Sequence, residues 1–327
     1  MGVAVTAATR VAAPKLKRWR AALAVAGGSA RRVVVIHTYQ YSLSKVAAAV
    51  ARRLGADLHP AGSLPPDGHY IIVSTALDSD LRAVVGHAVN AERCVAYLVA
   101  EGVPRVNPRR RETVQRCHVV VPSAHVRGLL EAAGFRVDAV VPHAVEWREA
   151  AARAEFPLAF IGVNLYRKGL DVAVKVAGIL RLPMLVATTR EGHFDVSRWL
   201  LPRGSRVEHP PPGGEYGVYA RAAALLLPSR AEGFSLAPRE FVASTGRCTV
   251  VTDLPVYGDE PGLLKCRAGG RHVHDDGHQV IDMVEPDPHH CAELARAAVA
   301  GCKADAGEMR RMYPPSLYDR FLEFLGP

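Results

Sequence analysis

The chain has 327 residues, 49% of them hydrophobic and 22% charged, an ordinary globular balance with enough apolar residues for sizeable cores. No apolar run reaches the roughly 18 residues of a membrane-spanning helix, and the length is about twice a usual domain, so two domains are expected. The net charge of +9 points to an anionic partner: nucleic acid, acidic lipid or a phosphorylated small molecule.

At the N-terminus, Arg10, Lys15, Arg18 and Arg20 interrupt an alanine-rich stretch, which reads poorly as a secretory signal. The "MGVAVT" start fits the loose myristoylation pattern, but so short a match is set aside. The basic-aromatic "PKLKRWRAALAVA" could lie on an acidic membrane surface or cap the first domain. Its one aromatic and few aliphatics give little insertion energy, which favours the cap.

Short β-branched runs then alternate with helical segments: "RRVVVIHTY" (31–39), "HYIIVST" (69–75), "RCVAYLVA" (93–100), "RCHVVVPS" (116–123) and "DAVVPHAV" (138–145). That rhythm indicates parallel βαβ units with both sheet faces covered. The polar "EWREAAARAEFP" has helical composition and ends at Pro157; it is read as the junction. A second series follows: "LAFIGVN" (158–164), "PMLVATT" (183–189), "ALLLPS" (224–229) and "CTVVTD" (248–253). The tail "SLYDRFLEFLG" reads as an amphipathic helix with Leu317, Phe321 and Leu325 on one face. The expected fold is α/β, two Rossmann-like doubly wound domains facing a cleft where ligands of such sheets bind.

The six cysteines show no CxxC pair and no metal-ligand spacing, and are read as buried small residues in a reducing cytoplasm. Arginine far outnumbers lysine, and Asn and Gln are scarce, which fits a GC-rich genome or a thermophile. "DSD" (78–80) begins a helix and reads as an N-cap. The histidine-rich "RHVHDDGHQV…DPHH" (271–290) lacks the helical i, i+4 pair of a zinc site. No metal is expected.

The stretch "PSRAEGFSLAPREF" (228–241) places Glu232 on a turn after a strand and Glu240 within the first turn of the next helix. Pro238 suits that first turn, and free amides from Phe234 to Ala237 would face the cleft and attract an anion. Two acids beside an anion site make sense if each contacts hydroxyls, as a sugar nucleotide would supply. The plainer reading is a helix with one N-terminal acid and one surface acid before it.

"PSRAEGFSLAPREFVASTGRCTVVTDLP" resembles the signature of retaining glycosyltransferases of the GT-B fold, of the glycogen synthase and mannosyltransferase type, in its EGF triplet and Glu-x7-Glu spacing. Ser235 replaces a usual glycine, Ala237 a proline, Arg239 a leucine, and Cys248 stands where proline is common. "FIGVNLYRKGLDVAVKVAG" resembles the family's diphosphate-clamping segment through Gly162, Lys168 and Gly169, but Val163 occupies the arginine position. Valine cannot hold phosphate; Arg167 or Asn164 is the candidate substitute. "HVVVPSAHVRGLLEAAGFRVDAVVPHAVE" resembles the segment that ends the family's first domain, with His143 in place of asparagine. The resemblance runs from about residue 115 to the C-terminus.

The resemblance implies an acceptor domain at 1–147, a nucleotide-sugar donor domain at 148–312, and a C-terminal helix (313–327) packing back on the first. It further implies transfer of a sugar from a UDP- or GDP-linked donor to an acceptor hydroxyl with retention, without metal or other cofactor. Glu232, Lys168 and Glu101 are the catalytic candidates. Glu240, Arg167, Gly162, Asn164, Gly233, Phe234, Ser235 and Leu236 are the donor-binding ones. His37, Tyr39 and His143 face the acceptor side, although "IHTYQYSLSK" lacks the family's Gly-rich loop. The acceptor is a glycan, lipid or small molecule, and the expected location is the cytoplasm, with peripheral contact at the inner membrane face left open. Two other readings stand: a catalytically weak sugar-nucleotide-binding protein, suggested by Val163, and a nucleic-acid-binding protein, suggested by charge. The second lacks any recognisable nucleic-acid module.

Overall fold

The computed structural model describes residues 33–37, 41–60, 68–88, 93–150, 153–189, 200–211 and 213–326. The basic-aromatic segment at 14–26 and Tyr39 lie outside them. The first unit runs β1 (Val33–His37), α1 (Tyr41–Leu54), β2 (Asp57–Pro60), β3 (His69–Thr75), α2 (Asp78–Ala88), β4 (Arg93–Val99), β5 (Val103–Pro104), α3 (Pro108–Val114), β6 (His118–Val121), α4 (Ala124–Ala132) and β7 (Ala139–Val140). Successive residues of its strands serve opposite cores: Val34 and Ile36 pack on one face, Val35 on the other. That two-sided burial is why these runs are continuously apolar rather than alternating.

The second unit runs β8 (Phe156–Ile161), α5 (Leu170–Leu180), β9 (Met184–Ala187), β10 (Arg206–Glu208), α6 (Glu215–Arg221), β11 (Ala222–Leu227), α7 (Leu236–Thr245), β12 (Thr249–Thr252), β13 (Leu263–Cys266), β14 (Ala268–Asp275), β15 (Gln279–Pro286), α8 (Pro288–Val299) and α9 (Ala306–Met312). Its parallel sheet is ordered β10-β9-β8-β11-β12-β13, and that of the first unit β2-β1-β3-β4-β6-β7. Strand order therefore reverses between β8 and β11 in one sheet and between β1 and β3 in the other. Ligands of such sheets bind outside the carboxyl ends at these reversals. The reversals are flanked by the loops after β1 and β3 in one sheet and after β8 and β11 in the other.

A third, antiparallel sheet joins the two units. The β14–β15 hairpin pairs through β15 with β5 of the first unit, so most of the histidine-rich stretch forms a hairpin. β14 is exposed along most of its length, and so carries no apolar alternation that would mark it as a strand. Arg230 fastens the hairpin to the turn before α5: its guanidinium donates to Glu285 on β15, to Asp171 on α5 and to the Tyr166 carbonyl. The junction at 146–150 is irregular rather than helical.

The chain ends in a 3-10 turn (Pro315–Arg320) and α10 (Phe321–Leu325). Tyr318, Phe321 and Leu325 are buried in the first unit's core beside Val35 and Tyr97, and Asp319 accepts from Arg53 at 2.5 and 2.7 Å. Asp78 does not cap its own helix: its carboxylate takes the Asn107 amide and Arg110, tying α2 to the start of α3.

The cysteines are paired, not single: Cys94–Cys117, Cys248–Cys302 and Cys266–Cys291. The partners stand 23 to 54 residues apart and meet only through the sheet: Cys94 lies on β4, and Cys117 just precedes β6, its neighbour. Spacing along the chain carries no trace of this. Disulfides persist in oxidising compartments, or inside hyperthermophile cells, so the expectation of a reducing cytoplasm loses its support. No helix among the described residues is long and apolar enough to cross a membrane.

Candidate functional site

A cavity of about 670 Å³ lies between the carboxyl ends of the two parallel sheets, within the usual size range for a small-molecule site. The first unit lines it with Lys45, Glu101 and His143, and the second with Gly162, Lys168, Glu232 and Glu240.

After β8 the chain turns through Gly162–Lys168 before α5. Gly169 enters that helix at φ +74°, and a Cβ there would stand 2.0 Å from the Pro228 carbonyl oxygen, so only glycine lets the turn pack against the end of β11. Lys168 Nζ reaches both oxygens of Glu232, at 2.6 and 2.8 Å. Val163 is 45% exposed and lines the cavity, an apolar side chain where the resembled family has a phosphate-binding arginine. Neither proposed substitute replaces it. Arg167 is buried behind Glu232, donating to the Ala231 carbonyl at 3.0 Å and pairing with Glu101 at 2.7 Å. Asn164 accepts the Arg167 amide at 3.2 Å and serves the turn. Both side chains end on Glu232, but Lys168 lines the cavity and Arg167 does not.

After β11, Glu232 is 4% exposed and also accepts from Ser229 Oγ at 2.7 Å. Burial alone would raise its pKa; Lys168 and Arg167 outweigh that and hold it below the usual carboxylate value. It is therefore ionised at neutral pH. The turn then passes so near the first unit that a Cβ on Gly233 would meet the Ala100 carbonyl oxygen at 2.4 Å, while Ser123 Oγ donates to the Gly233 carbonyl at 2.8 Å. Ser235 takes φ +64°, the left-handed conformation that the usual glycine adopts without strain. Ser235, Leu236 and Ala237 line the cavity at the start of α7.

The turn is held from behind by Arg239. It is 1% exposed, bonds the carbonyls of Phe234, Ser235 and Val256, and pairs with Glu260 at 2.5 Å. Its guanidinium also stacks 4.2 Å from the Phe234 ring centroid.

Glu240 lies one residue beyond the first turn of α7 and is buried. Lys45, near the start of α1, crosses the cleft to stand 2.7 Å from Glu240 Oε1 and 2.5 Å from Glu215, over the Tyr216 ring. Lys45 thus holds this buried oxygen with its ammonium group. Tyr219 donates to Oε2 at 3.3 Å. Nothing in "YSLSK" marks Lys45 in advance; its role arises from the meeting of two units.

Burial pushes the Glu240 carboxyl up to about 7, against the opposing charge of Lys45. A carboxyl raised above its unfolded value binds protons more tightly when folded, so its contribution is greatest at low pH. We expect that contribution to fall by about 3 kcal/mol as pH rises from about 4.5 to about 7, then to level off. Comparing melts of wild type and Glu240→Gln across that range isolates the effect. Parallel pH profiles for the two proteins would contradict it.

In the first unit, Glu101 follows β4 and is fastened to Arg167, with 31% of its side chain exposed. His143 lines the cavity. His37 ends β1 but is not among the described residues lining it. Among the described residues, no cluster of His, Cys, Asp or Glu has the arrangement of a metal site.

No protein-family model matches the chain, and no curated protein matches it. Solved structures do. The Anabaena protein HepE, in complex with UDP and glucose, superposes with a TM-score of 0.62 at 9% identity, covering 90% of this chain and 99% of that one. Sucrose-phosphate synthase from Thermosynechococcus elongatus gives 0.58 at 11% identity, covering 90% and 95%. AviGT4, a glycosyltransferase involved in avilamycin A biosynthesis, gives 0.55 at 16% identity, covering 90% and 97%. The longer TarM is matched over 55% of its length and 79% of this chain, with a TM-score of 0.54 at 12% identity. The fold is GT-B. In that GT-B frame the cavity is the interdomain cleft; Lys168 and Glu232 stand on the loops that flank the β8/β11 reversal, and Glu240 on the helix that follows the second of them.

Proposed function

We propose that the chain is a retaining glycosyltransferase that moves a hexosyl group from a nucleotide-diphosphate sugar, UDP-linked by preference over GDP-linked, to an acceptor hydroxyl without a metal ion. The observation that carries this reading is the pair of buried carboxylates at the sheet reversal. Glu232 is matched by Lys168 of the same unit, and Glu240 by Lys45 from across the cleft. Ribose hydroxyls donate to Glu240 in place of Lys45. Lys168 and the amides at the start of α7 hold the diphosphate, whose charge grows as the bond to the sugar C1 breaks. Glu232 holds hydroxyls of the transferred sugar. The acceptor oxygen bonds to C1 on the face the diphosphate leaves, and its proton passes to the departing phosphate oxygen. UDP is favoured because HepE was solved with UDP and glucose in the same fold.

Incubation with UDP-glucose, UDP-galactose or GDP-mannose, followed by proton NMR, tests this. Expected are release of the nucleoside diphosphate, a first-formed product that keeps the donor's anomeric configuration, and a rate unchanged by EDTA. An inverted product would refute retention, and a rate abolished by EDTA would refute metal independence. A second reading, a sugar-nucleotide-binding protein with little turnover, draws on Val163 and on the diversion of Arg167 into the interior. Binding of a nucleotide sugar without any release of nucleoside diphosphate would select it.

A further inference from the structure

Tyr97 and His143 fix a proton position that bears on which sugar the cleft takes. The Tyr97 hydroxyl lies 2.6 Å from the Val141 carbonyl oxygen and 2.7 Å from His143 Nδ1. A carbonyl only accepts, and two oxygens this close need a hydrogen between them, so the single phenol proton goes to Val141. His143 Nδ1 must then carry its own hydrogen and donate to the phenol oxygen. Nε2 is left with a bare lone pair. Edge contacts with Tyr97 and with Phe234 of the donor turn, at 5.1 and 4.9 Å between centroids, hold the ring in place. The ring is 4% exposed and lines the cavity. Burial and the nearby Arg239 charge keep the imidazole neutral, with its pKa lowered to about 3.

Around it, the site offers acceptors. Glu232 and Glu101, which line the same cavity, are carboxylates, and the cations are already paired: Lys168 with Glu232, Arg167 with Glu101 and Arg239 with Glu260. A sugar entering here must bring hydrogen-bond donors and no negative charge of its own. Resting on the donor-site reading above, we propose that His143 Nε2 accepts a hydrogen bond from a hydroxyl of the transferred sugar, and that the cleft takes neutral hexosyl donors and rejects uronosyl ones.

The test is calorimetric titration of UDP, UDP-glucose, UDP-galactose and UDP-glucuronate into wild type, His143→Phe and His143→Gln. Wild type should bind at least one neutral hexose donor about tenfold or more tighter than UDP-glucuronate. His143→Phe keeps the ring but not the lone pair. It should bind UDP within about twofold of wild type and lose about tenfold for the preferred hexose donor, the usual worth of one such bond. His143→Gln, whose amide oxygen restores an acceptor, should recover part of that loss. Equal losses for UDP and UDP-hexose, or no change in either, would overturn the role of His143. UDP-glucuronate binding as tightly as the hexose donors would overturn the substrate class. Wild type binding neither UDP nor any UDP-sugar would remove the donor-site reading itself, and this inference with it.

Discussion

Arg239→Leu should cost the fold about 3–5 kcal/mol, the usual penalty for breaking a buried ion pair from one side. The substitution restores the residue type of the resembled family, yet here it strands Glu260, whose side chain is 2% exposed. It also leaves the carbonyls of Phe234, Ser235 and Val256 without their donor. Denaturant melts of the single variant and of Arg239→Leu/Glu260→Leu separate the two effects. The double variant should be the more stable of the two, because no buried charge is left uncompensated, while remaining below wild type through the lost carbonyl bonds. A single-variant loss under about 1 kcal/mol, or a double variant worse than the single, would contradict the assignment. Both variants should also weaken UDP binding, since the turn bearing Gly233 and Ser235 loses its rear support.

Glu232→Gln should lower sugar transfer by about 100-fold or more while leaving UDP affinity equal to wild type or better. Electrostatic partners aimed at developing charge are worth roughly this much when removed singly. The expected split follows from the contacts. Glu232 holds Lys168, Arg167 and Ser229, so its loss removes negative charge from beside the diphosphate position and frees a lysine for it. The positive charge that builds on the sugar ring in the transition state loses its nearest carboxylate. Steady-state rates paired with UDP titration read both quantities. A parallel fall in UDP affinity and turnover would mean that Glu232 serves the nucleotide rather than the sugar.

The sequence made the donor side legible because its chemistry is local. Glu232, Gly233 and Ser235 sit within one strand–turn–helix, and Lys168 sits on the turn before α5, so spacing alone ties each to a sheet edge. Arg167 shows the limit of such reasoning. Its place beside Lys168 suggested a phosphate ligand, but Arg167 is buried and pairs with Glu101 and Glu232. Lys45, Arg239 with Glu260, and Tyr97 with His143 were hidden for another reason: their partners are 21 to 195 residues away, in contacts that exist only once the sheets pack. The same holds for the three cysteine pairs. The β14–β15 hairpin was missed because an exposed strand of histidines and aspartates has no apolar period to betray it.

The central claim is that this cleft binds a nucleoside diphosphate with Glu240 on the ribose. Calorimetric titration of UDP into wild type and Glu240→Gln at pH 8, where Glu240 is ionised, tests it most directly. A hydrogen bond to a charged acceptor is worth about 1.5–3 kcal/mol. The account therefore predicts saturable binding to wild type and an affinity at least about tenfold weaker for the variant. No binding to wild type, or equal affinity in both proteins, would contradict it.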